Sequence, residues 1–301
     1  MKEFKTIDEQ IALLESRGME VGDDAGPVLL RESYYSIVNG YKEPFLDREA
    51  MQVRPDDVYL PGVRFEWLHS LYKLDRELRG ITFHYLIQAE AALKTATVHA
   101  FCESHQGCSA YLERTAFCSA KDMLVPKSFK GNKAALHKRN LNSLMSVLNG
   151  KLVVTLATRP FVSHYISAYG EVPLWVLAND LTFGNMSHFF QLMQRREQNV
   201  VCKNLYTTTL RTKRDGRITP HEVLRAYRVL SRFRNLCAHD ERLYCAKIEN
   251  DTYSTMVKLM KVALPAKTVD ELGEGIAKLL NRYEKTLPTD VINAICECLK
   301  L

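Results

Sequence analysis

The stretch "RFEWLHSLYKLDRELRGITFHYLIQAEAALKT" (residues 64–95) decides the fold class. Its apolar residues, Leu68, Leu71, Tyr72, Leu78, Ile81, Tyr85, Leu86, Ala89 and Leu93, recur three or four apart. That is the repeat of an α-helix with one face turned to a core, and it contains no proline. The spacing predicts one long helix, or two in line, from Phe65 to about Glu103.

The same period governs the flanks. It predicts helices from about Ile7 to a stop at Gly18, over Leu29–Val38, Ala134–Leu148, Phe161–Ala168, Leu174–Leu181 and Met186–Met193. Further helices are expected over Arg195–Tyr206, Pro220–Tyr244, Tyr253–Val262, Val269–Glu284 and Thr289–Leu299. Residues 41–63 hold three prolines and no helical period, which predicts a loop. "LVVTLAT" (152–158) is the best strand candidate, although it reads equally as part of a helix. The fold class expected is all-α. One multi-helix domain covers residues 1–250, and residues 251–301 form C-terminal helices packed on the same domain.

The 301 residues are 46% hydrophobic and 25% charged, a globular balance. No run of about 18 apolar residues appears, so no membrane span is expected. The N-terminal stretch is charged and amphipathic and lacks the apolar centre of a secretory leader. Eight cysteines follow no paired framework, which fits reduced, mostly buried thiols and a cytoplasmic location.

The net charge of +6 permits an anionic partner without demanding one. Its distribution is more telling. Basic residues crowd 194–217, Lys213 and Arg214 among them, and continue through Arg225, Arg228, Arg232, Arg234 and Arg242. Only Glu197, Asp215, Glu222, Asp240 and Glu241 oppose them. Either this is a solvated face or it is a surface for phosphates.

The tract ends in "SRFRNLCAHDERLY" (231–244). Thr219, Pro220 and Glu222 form the N-terminal signature of a helix, so the register that follows is well fixed. At about 100° per residue, Arg225, Arg228, Arg232, Asn235, His239 and Arg242 share one side. Asn235 and His239, four apart, become neighbours on that side. Arg234 falls in the apolar sector, where a guanidinium needs an anionic or polar partner or a route to water.

This combination suits metal-independent RNA cleavage. The 2′-hydroxyl attacks its own phosphate while a base, an acid and a cation assist. Histidine transfers protons near neutrality, and arginine matches phosphate oxygens with a fork of donors. One helix supplies one His, so two chains about a twofold axis would supply both acid and base. The plainer reading is surface decoration, because an R-N-x-x-x-H pattern arises by chance in many helices.

Four blocks occur in order: 14–45, 64–95, 169–193 and 233–244, the last reading "FRNLCAHDERLY". Together they resemble the Abi family of bacterial abortive-infection proteins, D/F type, over roughly residues 8–250. That family is similar to the HEPN superfamily of helical ribonucleases, whose motif is an arginine followed four to six residues later by a histidine. The resemblance places the motif on Arg234, Asn235 and His239. It implies a HEPN-like helical fold, a homodimer, and a metal-independent endoribonuclease acting on single-stranded RNA. It also implies a toxin in phage defence, restrained by an antitoxin that in some relatives is a small structured RNA. Relatives often carry arginine where this chain has Lys94, so a supporting phosphate contact there would be weaker.

Other features have simpler readings. Glu90 and Lys94 read as a surface ion pair, or Glu90 as the partner that Arg234 needs. His99, Cys102, His105 and Cys108 are spaced as conceivable zinc ligands, but a helix end is the simpler reading. Cys296 and Cys298 are too close for a standard zinc pair, so no metal and no cofactor is expected. Tyr34, Tyr35, Tyr41 and Trp175 could stack on bases, although helix packing is the commoner use. Asp75, Arg76 and Arg79 read as a solvated helix face. A non-catalytic RNA-binding protein or a helical interaction scaffold remains the alternative; no DNA partner is expected.

Overall fold

The computed structural model describes residues 3–53, 56–126 and 128–300, with side chains throughout except at 154–158. Twelve α-helices are described: α1 (Ile7–Ser16), α2 (Ala25–Glu32), α3 (Phe65–Ser104), α4 (Lys133–Thr158), α5 (Pro160–Tyr169) and α6 (Leu174–Leu177). After them come α7 (Phe183–Leu192), α8 (Arg195–Thr208), α9 (Pro220–Ala238), α10 (Tyr253–Met260), α11 (Ala266–Tyr283) and α12 (Thr289–Leu299). The one strand ladder among the described residues joins two strands of two residues each, β1 (Lys247–Ile248) and β2 (Asp251–Thr252). The fold is therefore all-α. No described helix is long and apolar enough to cross a membrane.

Two local expectations give way, and one open reading resolves to helix. The strand candidate at 152–158 is the last part of α4. The helix expected over Leu29–Val38 is interrupted at Ser33, whose φ of 68° takes the chain out of α2, and a π-turn over Tyr35–Asn39 follows. The helix expected to reach Tyr244 stops at Ala238. Asp240, at φ 57°, adopts the left-handed conformation that commonly closes a helix.

The chain divides into two compact units, and both α3 and α11 contribute to each. One unit contains Met1–Thr82, His239–Lys247 and Leu272–Leu301. Its core gathers Leu14, Leu29, Ile37, Phe45, Leu68, Leu71, Leu78, Leu243, Ile276 and Ile295, all 2% exposed or less. The other unit contains Phe83–Ala238 and Ile248–Glu271. α10 belongs to this second unit and α12 to the first.

In the second unit α9 packs against α7 and α10. Val223, Tyr227, Leu230 and Phe233 of α9 are fully buried. Tyr227 stacks on Phe190 and meets Phe183 edge-on, each at 5.6 Å between ring centroids. Its hydroxyl donates to the Leu93 carbonyl at 2.8 Å and lies 2.7 Å from the Thr97 hydroxyl. This satisfied polar tip fixes the rotation of α9 against the second half of α3.

The reading of Asp75, Arg76 and Arg79 as a solvated face is overturned at two of the three positions. Asp75 is fully buried and Arg79 is 3% exposed. Helical periodicity identified the apolar residues of this face but could not show that the adjoining charges have buried partners. Arg76 remains partly exposed and binds Glu32 at 2.7 Å, alongside the Tyr72 hydroxyl.

That arrangement has a pH consequence. The Arg76 guanidinium, with Tyr72 and Arg31, lowers the Glu32 carboxyl from its ordinary 4.5 to about 2. A carboxylate lowered in the folded state contributes stability above its unfolded value and loses it on acidification. Glu32 should therefore stabilise the protein above about pH 4.5 and lose that effect towards pH 2. Glu32→Gln should flatten this part of the acid limb, measured as denaturant midpoints across the range. An acid limb unchanged by the substitution would refute the assignment.

Candidate functional site

The candidate residues fall into three groups, each lying within one compact unit. The first is the end of α9. The helix starts as its sequence signature requires: the Glu222 N–H donates to Thr219 Oγ1 at 3.3 Å, and the Thr219 N–H donates to Glu222 Oε2 at 2.8 Å. From that start, packing of Tyr227 and Phe233 brings Arg234 to the last turn in a half-buried position and leaves Asn235 exposed.

Arg234 Nε lies 3.2 Å from Glu90 Oε2 on α3. Glu90 is buried, and its Oε1 is 3.7 Å from Lys94 Nζ. The structure thus favours Glu90 as the partner of Arg234 while keeping its pair with Lys94. Lys94 also donates to the Leu181 carbonyl at 2.9 Å. Burial lowers the Lys94 ammonium below the usual lysine range; Arg234 adds to the shift and Glu90 opposes it.

Two cations share one carboxylate in this cluster, leaving a net charge of +1 for an anion. The guanidinium also retains bonding capacity. Arg234 Nη1 donates to Asn235 Oδ1 at 3.3 Å. Nε is buried and, among the described residues, has no hydrogen-bond acceptor, because its approach to Glu90 is poorly aligned. The Arg234 side chain is 33% exposed, so the guanidinium can still be approached by an anion from solvent.

The second group follows α9. His239 lies directly beyond the end of α9, in the turn that contains Asp240, and is not part of the helix. His239 is exposed. The segment after it is tied down within its own unit. Asp75 accepts from the Leu243 N–H at 2.9 Å, the Tyr244 N–H at 2.7 Å, the Tyr41 hydroxyl at 2.8 Å and Arg79 Nη1 at 2.7 Å. Arg79 also pairs with Asp240 and donates to the Glu241 carbonyl at 3.3 Å. Burial pushes the Asp75 carboxyl up, against the Leu243 N–H, Arg79, Tyr41 and the Tyr244 N–H.

Arg242, expected on the cationic face, donates instead to the Gly40 carbonyl at 2.7 Å and is half-buried. Its geometry assigns it to holding the turn. Local spacing could not reveal the Asp75 network, because every partner except Arg79 is separated from it by 34 to 169 residues.

The third group is a cleft of about 720 Å³ beside α9, lined by Arg217, His221, Arg225, Arg228 and Arg232 together with Glu222, Glu249 and Asp251. Arg225 pairs with Asp251 at 3.0 Å and Arg232 with Glu249 at 2.8 Å. Arg228 has no ion pair among the described residues and is half-buried on the same helix. The pairs with Glu249 and Asp251 were not foreseen, because Glu249 comes from the turn between the two short strands and Asp251 from the start of β2. Lys213 and Arg214 lie exposed in a short turn between α8 and α9.

Glu197 does not temper this surface. It is fully buried, 2.8 Å from His105 Nε2, and accepts the Gln194 N–H at 3.1 Å. That contact, with stacking of His105 on Phe101 at 4.3 Å, gives His105 a packing role. The eight cysteines are thiols rather than disulfides; Cys118 and Cys202 are buried, four are half-buried, and Cys296 and Cys298 are exposed. Burial raises the Cys118 thiol to about 11 and the Cys202 thiol to about 12. Among the aromatics considered for stacking, Tyr41 is core, Tyr34 is half-buried, and Tyr35 and Trp175 are 76% and 52% exposed.

An all-helical fold with a cationic helix ending in Arg-Asn and followed by an exposed His narrows the class. A family model described as Abi-like protein matches residues 27–245. The chain belongs to that family, which is associated with abortive infection. No curated protein and no solved structure matches it.

Proposed function

We propose that the protein is a metal-independent endoribonuclease of the HEPN type that cleaves single-stranded RNA and acts as a toxin in phage defence. One observation carries this reading. Arg234, in the last turn of α9, is paired with a buried carboxylate while its side chain stays 33% exposed, and the same stretch of chain continues into an exposed imidazole at His239. A cation for phosphate charge and a group for proton transfer are what RNA self-cleavage requires.

The step balances without another reactant. An imidazole takes the 2′-OH proton, and the 2′-oxygen forms a bond to phosphorus. The bond from phosphorus to the 5′-oxygen breaks, and an imidazolium returns a proton to that oxygen. The products are a 2′,3′-cyclic phosphate and a 5′-hydroxyl. Two protomers supply the two imidazoles. Arg234 stabilises the charged phosphorane, Asn235 orients Arg234, and Glu90 and Lys94 support them. Arg225, Arg228 and Arg232 receive backbone phosphates in the cleft beside α9, and Lys213 and Arg214 extend that surface. Arg242 fixes the turn that carries His239. The partners are substrate RNA, a second copy of the chain and a small structured RNA that restrains it.

Cleavage of an unstructured RNA in excess EDTA tests the reading. Cutting should persist in EDTA and stop when the scission-site nucleotide is replaced by its 2′-deoxy form. Cutting of the deoxy substrate at the same position would reject 2′-hydroxyl attack. RNA binding without any cutting would favour a binding protein instead.

A further inference from the structure

A second cavity has Lys94 in its wall. Its volume is about 590 Å³, and the wall also includes Val98, His99, Cys102, Trp175 and Asn179. Trp175 stands apart in its short helix: Leu174, Val176 and Leu177 are buried, whereas the indole is 52% exposed and borders the cavity. This ring borders a space with room for a planar molecule.

The polar groups narrow the occupant. Asn179 Nδ2 is spent on the carbonyls of Trp175, at 3.3 Å, and Val176, at 3.1 Å. With its amide donor committed, Asn179 has only the Oδ1 acceptor left to offer an occupant, which suits ring or exocyclic N–H groups. Val98 and Cys102 supply apolar contact. Lys94 lines the cavity and also binds Glu90, which binds Arg234. The cavity is therefore joined to the phosphate-binding arginine by two successive ion pairs.

We infer that this cavity is a nucleobase subsite, in which Trp175 stacks on a base of single-stranded RNA next to the phosphate held by Arg234. The inference rests on the ribonuclease reading and extends it, since it names a contact that orients a nucleotide and favours bases able to donate to Asn179. A single-stranded substrate is required because a base enters such a pocket only when unpaired and unstacked.

Trp175 is one of two tryptophans, and the other, Trp67, stacks on Phe45. In the full-length Trp67→Phe variant, fluorescence therefore reports on Trp175 alone. The probes are a short 2′-O-methylated single-stranded RNA, which cannot undergo 2′-hydroxyl attack, its abasic counterpart, and a free nucleoside monophosphate. The base-bearing RNA should quench the indole, and the abasic strand should not. Trp175→Ala should weaken binding of the base-bearing RNA about 5- to 100-fold, and Trp175→Phe should restore most of the loss.

Unquenched fluorescence with RNA bound, and binding unchanged in Trp175→Ala, would overturn the subsite. If wild-type protein still cut RNA, the ribonuclease reading would stand. Quenching by the monophosphate and the RNA without cutting would keep the subsite and reject the ribonuclease. No binding of any probe would overturn the subsite, with the parallel cleavage assay deciding the enzyme separately.

Discussion

Replacing His239 with alanine is expected to lower RNA cleavage at least about 100-fold, the low end of what a positioned proton-transfer group contributes. The loss should appear in the rate, with RNA binding retained, because His239 is exposed and makes no packing contribution to the core. Arg234→Ala should behave differently. It removes a cation and leaves Glu90 buried without its nearest guanidinium, so binding and stability should fall together with the rate. The comparison is made by single-turnover cleavage and by binding of an uncleavable RNA. Wild-type cutting by purified His239→Ala protein would sink the proposed chemistry, whatever Arg234→Ala did.

The second large effect concerns stability. Asp75→Ala is expected to destabilise the protein by about 3–5 kcal/mol, the range for breaking a buried ion pair from one side. The substitution strands Arg79, which is 3% exposed, and removes the acceptor of two backbone N–H groups, those of Leu243 and Tyr244. A loss of this size consumes a large part of a typical folding free energy of about 5–15 kcal/mol. Equilibrium denaturation measures it. A change below about 1 kcal/mol would show that water or a neighbouring group replaces the carboxylate, contrary to a working clamp.

The all-helical class was legible because apolar spacing along α3 and α9 is a local signal. The start of α9 was legible for the same reason, since Thr219, Pro220 and Glu222 act within one turn. Its end was not. The apolar repeat continues through Leu243, and only the left-handed Asp240 and the Asp75 clamp divert the chain after Ala238. The residues of the candidate site were found from type and spacing. The role of Arg242 was not, because its partner is the distant Gly40 carbonyl.

Charge was the least legible property. Asp75 and Arg79 looked like water-facing residues because helical charges four apart usually are. Glu197 looked like a counterweight on a basic surface and is instead an interior partner of His105. Sequence spacing can place a charged residue on a helix, but it cannot say what arrives from elsewhere to meet it.

The clamp around Asp75 also has a genetic consequence. The turn bearing His239 depends on Tyr41, Asp75 and Arg79, none of which faces RNA in the proposed reaction. A screen for alleles that no longer harm the host would recover lesions at these interior positions beside lesions at His239. Assaying how much intact protein accumulates would separate the two groups, with His239 alleles abundant but inert and interior alleles depleted by proteolysis.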